Sequence, residues 1–159
     1  MDIIVFEPFS IQLGVEFEAE HLVRLTFLPD SVLLSSGQGQ SPLMLQQLQA
    51  ALEAWAQDPH YIFSLPVQLK GTSFQQRVWQ ALREIPCGET RTYGQLAAQL
   101  KTSARAVGSA CARNPLPILF PCHRVVAAQG RLGGFNHQTT GPMLALKQAL
   151  LAHEKSSRV

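Results

Sequence analysis

Cys122 stands between a proline and a histidine in Pro121-Cys122-His123-Arg124-Val125-Val126. A cysteine attacks as its thiolate, and a neighbouring base or positive charge favours that form. His123 and Arg124 are the nearest candidates. Ile118-Leu119-Phe120 leads into the motif and Val125-Val126-Ala127-Ala128 leads out of it. Short apolar runs bounded by Pro and Gly read as buried segments. Pro115, Pro117 and Pro121 exclude a helix before Cys122 and fix how the chain approaches it. The thiol is therefore expected at a rigid turn inside a folded body. A buried structural cysteine fits the hexapeptide equally well, so the surroundings must decide.

The other two cysteines, Cys87 and Cys111, share no such motif. Three cysteines without metal spacing argue against a disulfide framework and against a Cys-x-x-Cys zinc site. No metal and no cofactor is expected. Residues 1–20 carry Asp2, Glu7, Glu16, Glu18 and Glu20 and lack a basic start followed by a long apolar core. The expectation is a cytoplasmic protein in a reducing setting, with no membrane partner.

The net charge of +2 hides an asymmetry. Residues 1–70 hold two basic side chains against eight acidic ones, a net of −6; residues 71–159 hold eleven against three, a net of +8. A basic half beside an acidic half points to a polyanionic partner, and nucleic acid is the usual one.

The elements that must position the motif can be read in order. Residues 2–8 and 22–28 alternate apolar and polar side chains, as half-buried strands do. Pro29-Asp30-Ser31 reads as a turn and residues 37–42 as a polar loop. Leu45, Leu48, Leu52 and Trp55 make a helical stripe over 43–56. A second unit begins near Gly71. Ser73-Phe74-Gln75-Gln76 has the form of a capping box; Phe74, Val78, Leu82 and Ile85 follow at helical spacing, and Pro86-Cys87-Gly88 ends that helix. Thr92-Tyr93-Gly94-Gln95 is a second capping box, opening a helix through Leu100. Thr102 or Ser103 caps a third, running to about Arg113, and the pair reads as a helix-turn-helix. Ala104, Ala106, Gly108, Ser109, Ala110 and Ala112 leave the third helix nearly bare, so that its backbone can approach another molecule. Arg105 is the one long side chain in its first turn. A cation there opposes the helix dipole, so an external anion or a base stack explains it better than helix stability. Cys111 reads as packing. After the polar loop from Asn136 to Pro142, a closing helix carries Met143, Leu144, Leu146, Leu150, Leu151 and, near its end, Glu154.

Residues 71–135 resemble the C-terminal domain of the O6-alkylguanine-DNA alkyltransferases. The matching text is Gly71-Thr72-x-Phe74-Gln75-x-x-Val78-Trp79-x-Ala81-Leu82, Ile85-Pro86-x-Gly88-x-Thr90 and Tyr93-Gly94-x-Leu96-Ala97. It continues in Ala104-Arg105-Ala106-Val107-Gly108, Asn114-Pro115-x-Pro117-Ile118 and the Cys122 hexapeptide. Phe135 stands where a tyrosine is usual in that family. The resemblance implies an α/β N-terminal domain of ribonuclease-H-like fold over 1–69. Over 70–159 it implies a mainly α, winged-helix-like domain containing the helix-turn-helix.

It also implies roles. Cys122 would accept the alkyl group; His123 would remove its proton through a water, oriented by Glu154; Asn114 would brace the site. Tyr93 would face the leaving guanine and give up its hydroxyl hydrogen. Tyr93, Val125, Phe135 and Asn136 would line the base pocket. Arg105 would fill the gap left by a flipped nucleotide, with Ala104, Ala106, Gly108 and Thr72 at the DNA. The partner would be double-stranded DNA carrying O6-alkylguanine, bound by a monomer. The reaction would be a single irreversible transfer, because no group here can hydrolyse a thioether. A damage sensor without chemistry, a helix-turn-helix regulator and a cysteine hydrolase are the rival readings.

Overall fold

The computed structural model describes residues 2–28, 42–135 and 141–156. The chain divides into two compact units, Met1–Lys70 and Gly71–Val159. The turn expected at 29–31, the loop expected up to residue 41 and Asn136 lie outside the described residues.

In the first unit, β1 (Asp2–Phe6), β2 (Ile11–Glu18) and β3 (His21–Leu28) form an antiparallel sheet in the order β1-β2-β3. The sequence reading found β1 and β3 but not β2, the strand between them. Yet β2 alternates as they do, with Ile11, Leu13, Val15 and Phe17 interleaved with polar residues or Gly14. Its hairpin to β3 turns on Ala19 and Glu20, both with positive φ (47° and 63°). That geometry usually recruits Asn-Gly or Asp-Gly, so the turn signal was missing. Helix α1 (Pro42–Gln57) buries Met44, Leu48, Ala51, Leu52 and Trp55, spaced as one helical face. The Trp55 ring stacks on Phe9 at 5.6 Å.

The second unit is mainly helical. Helix α2 (Ser73–Arg83) buries Val78, Trp79, Ala81 and Leu82. Its cap is Thr72, one residue before the expected Ser73. The Thr72 hydroxyl accepts from the Gln75 amide at 3.1 Å, and the Gln75 side chain accepts from the Thr72 amide at 3.0 Å. Both Thr72-x-x-Gln75 and Ser73-x-x-Gln76 spell a capping box. The extended backbone of Thr72 (φ −66°, ψ 162°) selects the first.

After the short strand β4 (Arg91–Thr92), helix α3 (Tyr93–Leu100) starts at the expected Thr92 box, and α4 (Ala104–Ala112) is capped by Ser103. The indole N–H of buried Trp79 donates to the Ala110 carbonyl at 2.8 Å and ties α2 to the end of α4. β4 pairs in parallel with β5 (Val125–Val126), Arg91 opposite Val125 and Thr92 opposite Val126. This two-residue ladder sets the start of α3, and so Tyr93, beside the segment that follows Cys122. Helix α5 (Pro142–Ser156) closes the unit and buries Leu146 and Leu150.

Because Thr72 and not Ser73 closes the α2 cap, Thr72→Ala should destabilise the protein by about 1 kcal/mol. Ser73→Ala should have almost no effect. Urea unfolding of the two variants checks the assignment; equal losses would contradict it.

Candidate active site

The Cys122 turn is built by backbone hydrogen bonds before any catalytic side chain is considered. Pro121 adopts φ −80° and ψ 72°, the inverse γ-turn. The Cys122 amide accordingly donates to the Phe120 carbonyl at 2.8 Å. The same carbonyl accepts the Asn114 side-chain amide at 2.7 Å, and the Asn114 oxygen accepts the Leu116 amide at 3.0 Å. Asn114 therefore spans both ends of the loop that delivers the cysteine. Within that loop Ile118 holds φ 75°, a left-handed conformation that a β-branched residue rarely adopts. Ile118 is buried, as are Leu116, Leu119 and Phe120 on either side of it in the chain.

Cys122, His123 and Arg124 form one turn of 3-10 helix. Cys122 is buried, with 7% exposure. Burial pushes its thiol up, while a hydrogen bond from Asn114 and the positive charge of Lys147 act in the other direction. At rest it is a protonated thiol that needs a base.

His123 is fully buried, and its Nε2 lies 2.8 Å from a Glu154 carboxylate oxygen. Burial alone would push the Glu154 carboxyl up. Hydrogen bonds from His123 and Arg124, together with the Arg124 charge, more than offset this and leave it at about 2. An ionised Glu154 can only accept, so Nε2 carries the hydrogen and donates it. Nδ1 then keeps its lone pair. Burial pulls the imidazole below its ordinary value despite Glu154, with Arg124 and Lys147 adding to the effect. His123 is thus a neutral imidazole in a fixed tautomer.

Tyr93, first in α3, borders the same space. Its ring lies 3.9 Å from where a side chain on Gly108 would begin and 2.9 Å from one on Gly133. Gly133 also holds φ 73°, so both its conformation and its contact require glycine. The Tyr93 hydroxyl is 3.4 Å from the Gly134 carbonyl. Burial and then the nearby thiols of Cys111 and Cys122 push the phenol well above its usual value, which keeps it a proton donor.

Sequence reasoning missed one cation and gave another the wrong partner. Lys147 is fully buried in α5 and donates to the carbonyls of Val125 (2.7 Å), Leu132 (2.6 Å) and Gly134 (2.9 Å). It lies over the Tyr93 ring at 5.8 Å. Burial pulls it down to about 8, with the two thiols acting the other way. Its place seven residues before Glu154, between Met143 and Leu150 on the apolar face, was a legible signal. Arg124 does not sit on the thiol; it grips Glu154. Cys111, read as packing, lies close enough for its charge state to be coupled to those of Tyr93, Cys122 and Lys147.

Of the other expected site residues, Val125 and Phe135 are buried beside these groups in sequence, and the Val125 carbonyl is engaged by Lys147. Arg105 and Ala104 are exposed at the start of α4, with Ala106 and Gly108 half-buried. The Thr72 hydroxyl serves its helix cap.

A family model for the 6-O-methylguanine DNA methyltransferase DNA-binding domain matches residues 73–156. The chain belongs to this family. It is 50% identical over 96 residues to the methylated-DNA–protein-cysteine methyltransferase of Mycobacterium bovis, covering 59% of this chain and 55% of the relative. The chain spans about half the length of the curated relatives it matches. Two solved structures resemble it along most of their length. The crystal structure of Mycobacterium tuberculosis OGT in complex with DNA aligns with a TM-score of 0.76 and 35% identity, covering 97% of this chain and 91% of that one. An O6-methylguanine DNA methyltransferase from Methanococcus jannaschii aligns at 0.70 and 30%, covering 99% and 95%.

Glu154 is ionised in the folded state down to about 2, against 4.5 when free of these partners. Between those values the unfolded chain binds a proton that the folded chain does not, so stability falls as pH is lowered through that window. Glu154→Gln should remove this part of the acid dependence. It should also cost about 3–5 kcal/mol at neutral pH, because Arg124 loses its charge partner. Denaturant titrations across the acid range check both.

Proposed function

We propose that the protein repairs alkylated DNA directly, moving an alkyl group from O6 of guanine in duplex DNA to Cys122, once and irreversibly. O4-alkylthymine is a second substrate in this reading. The observation that carries this reading is the buried Cys122 turn joined to the His123–Glu154 pair at 2.8 Å. The family membership and the DNA complex of the mycobacterial neighbour support it.

In this reading the first unit is a ribonuclease-H-like domain. The second is a winged-helix-like DNA-binding domain whose helix-turn-helix is α3 and α4. The protein acts as a cytoplasmic monomer on double-stranded DNA. A base inside a duplex cannot reach a buried thiol, so the nucleotide must be extruded. The bare face of α4 comes close to the minor groove, and Arg105 occupies the space the nucleotide leaves.

The chemistry then follows from the site. The thiol proton passes through a water to neutral His123, whose new charge faces ionised Glu154. The Cys122 sulfur attacks the alkyl carbon; the S–C bond forms as the bond from that carbon to guanine O6 breaks. The electron pair goes to the guanine, and neutral Tyr93 donates a hydrogen bond from its hydroxyl to the developing negative charge. Lys147 fixes the carbonyls of Val125, Leu132 and Gly134 around the base and favours the thiolate by its charge. Asn114 holds the turn that aims the sulfur. The product is a thioether that nothing in the site can reverse.

Incubation with a duplex containing O6-methylguanine should add the mass of one methyl group, mapped by peptide sequencing to Cys122. Cys122→Ala should gain none while still binding DNA. A label on Cys87 or Cys111, or repeated turnover, would contradict the reading. Arg105→Ala should slow transfer from duplex DNA by roughly 10–100-fold, since unstacking a base costs a few kcal/mol. It should leave transfer from free O6-methylguanine nearly unchanged. Equal slowing on both substrates would place Arg105 in pocket support.

A further inference from the structure

Arg124 makes more contacts to Glu154 than His123 does. Its Nε donates to both carboxylate oxygens at 3.1 Å, and Nη2 donates to Oε2 at 2.5 Å. Nη1 donates to the Ile85 carbonyl at 2.6 Å, which anchors the guanidinium beyond the end of α2. Glu154 thus receives His123 on one oxygen and a planar fork across both. A planar five-donor group suits this geometry, and an ammonium does not.

A carboxylate this buried has two ways to meet its charge. It can draw a proton onto His123, making an imidazolium–carboxylate pair, or it can be neutralised by another cation. Only the second leaves an imidazole that can accept a proton from the thiol. We propose that Arg124 is a positioning residue for alkyl transfer: by satisfying the Glu154 carboxylate it leaves His123 neutral and able to act as the base. This rests on the reading of Cys122 as the alkyl acceptor.

The charged groups around the pair agree. His123 is flanked by Glu154 and Lys147 from α5, by Arg124 and by the Cys122 thiol. Burial lowers the proton affinity of His123 most; Glu154 raises it, and Arg124 and then Lys147 lower it further. Lys147 is already committed to three carbonyls. Arg124 is the cation in direct contact with the carboxylate.

The test is the pH dependence of single-turnover methyl transfer by the full chain from a duplex carrying O6-methylguanine. A neutral base is required, so the acid limb of the profile tracks His123. Arg124→Gln should move that limb to higher pH by about one unit, the scale of removing a nearby like charge. Arg124→Lys keeps the charge but loses the fork; its limb should stay in place while the rate falls at every pH. Arg124→Met replaces the glutamine variant if that one does not fold. NMR titration of the His123 ring should show the same displacement without any transfer. An unmoved limb and an unmoved titration in the neutral variant would overturn the proposal. So would an equal displacement with lysine; both results would leave Arg124 a structural contact. Failure of the wild-type protein to gain methyl would instead refute Cys122 as acceptor, and the NMR titration would still decide the part played by Arg124.

Discussion

A buried carboxylate must be paired or it will not stay ionised. Glu154 meets that constraint with two partners seated on consecutive residues, His123 and Arg124, at the far side of the turn that begins with Cys122. One interaction therefore fixes the last turn of α5 against the cysteine loop, the tautomer of the histidine and the charge around the thiol. Removing any of the three groups would leave an uncompensated polar or charged group in the interior.

The rest of the second unit can be understood as support for that contact. Asn114 locks the loop from Leu116 to Phe120, and the Pro121 turn then leaves the Cys122 amide no choice of partner. The β4–β5 ladder brings Tyr93 in from the other direction. Lys147 gathers three carbonyls that would otherwise repel one another across the same small space. Burial lowers its proton affinity, and the thiols of Cys122 and Cys111 act the other way. Glycine at 133 is then required, because its φ is positive and Tyr93 stands where its side chain would be.

The small-residue face of α4 answers to two demands. Gly108 faces the Tyr93 ring, 3.9 Å from where its side chain would begin, while Ala104 and Arg105 are exposed at the helix start. Trp79 pins the opposite end of the helix through the Ala110 carbonyl. The helix is thereby held at its C-terminal end and close-packed in its middle, with its N-terminal turn left accessible.

The sequence by itself determined whatever depends on neighbours along the chain. The capping box at Thr92, a cap at Thr102 or Ser103, the apolar stripes of α1, α2 and α5, and the rigid approach to Cys122 are all local patterns, and each was legible. The motif text carried the family as well. What the sequence left open has one physical cause, contact between distant residues. Two overlapping capping boxes at Thr72 and Ser73 read alike, and only the backbone path into α2 chose between them. Strand β2 alternates clearly, but its turn uses Ala19 and Glu20 in a conformation normally marked by glycine, so it was read as part of no element. Arg124 sits beside the cysteine in sequence and so was a candidate for activating it; the tertiary structure turns it onto Glu154, thirty residues away. Lys147 was not singled out in the sequence; α5 packs it inward onto three carbonyls. A side chain's position along the chain says which element carries it. Which charge it meets is decided by packing, because burial alone makes the pairing of charges compulsory.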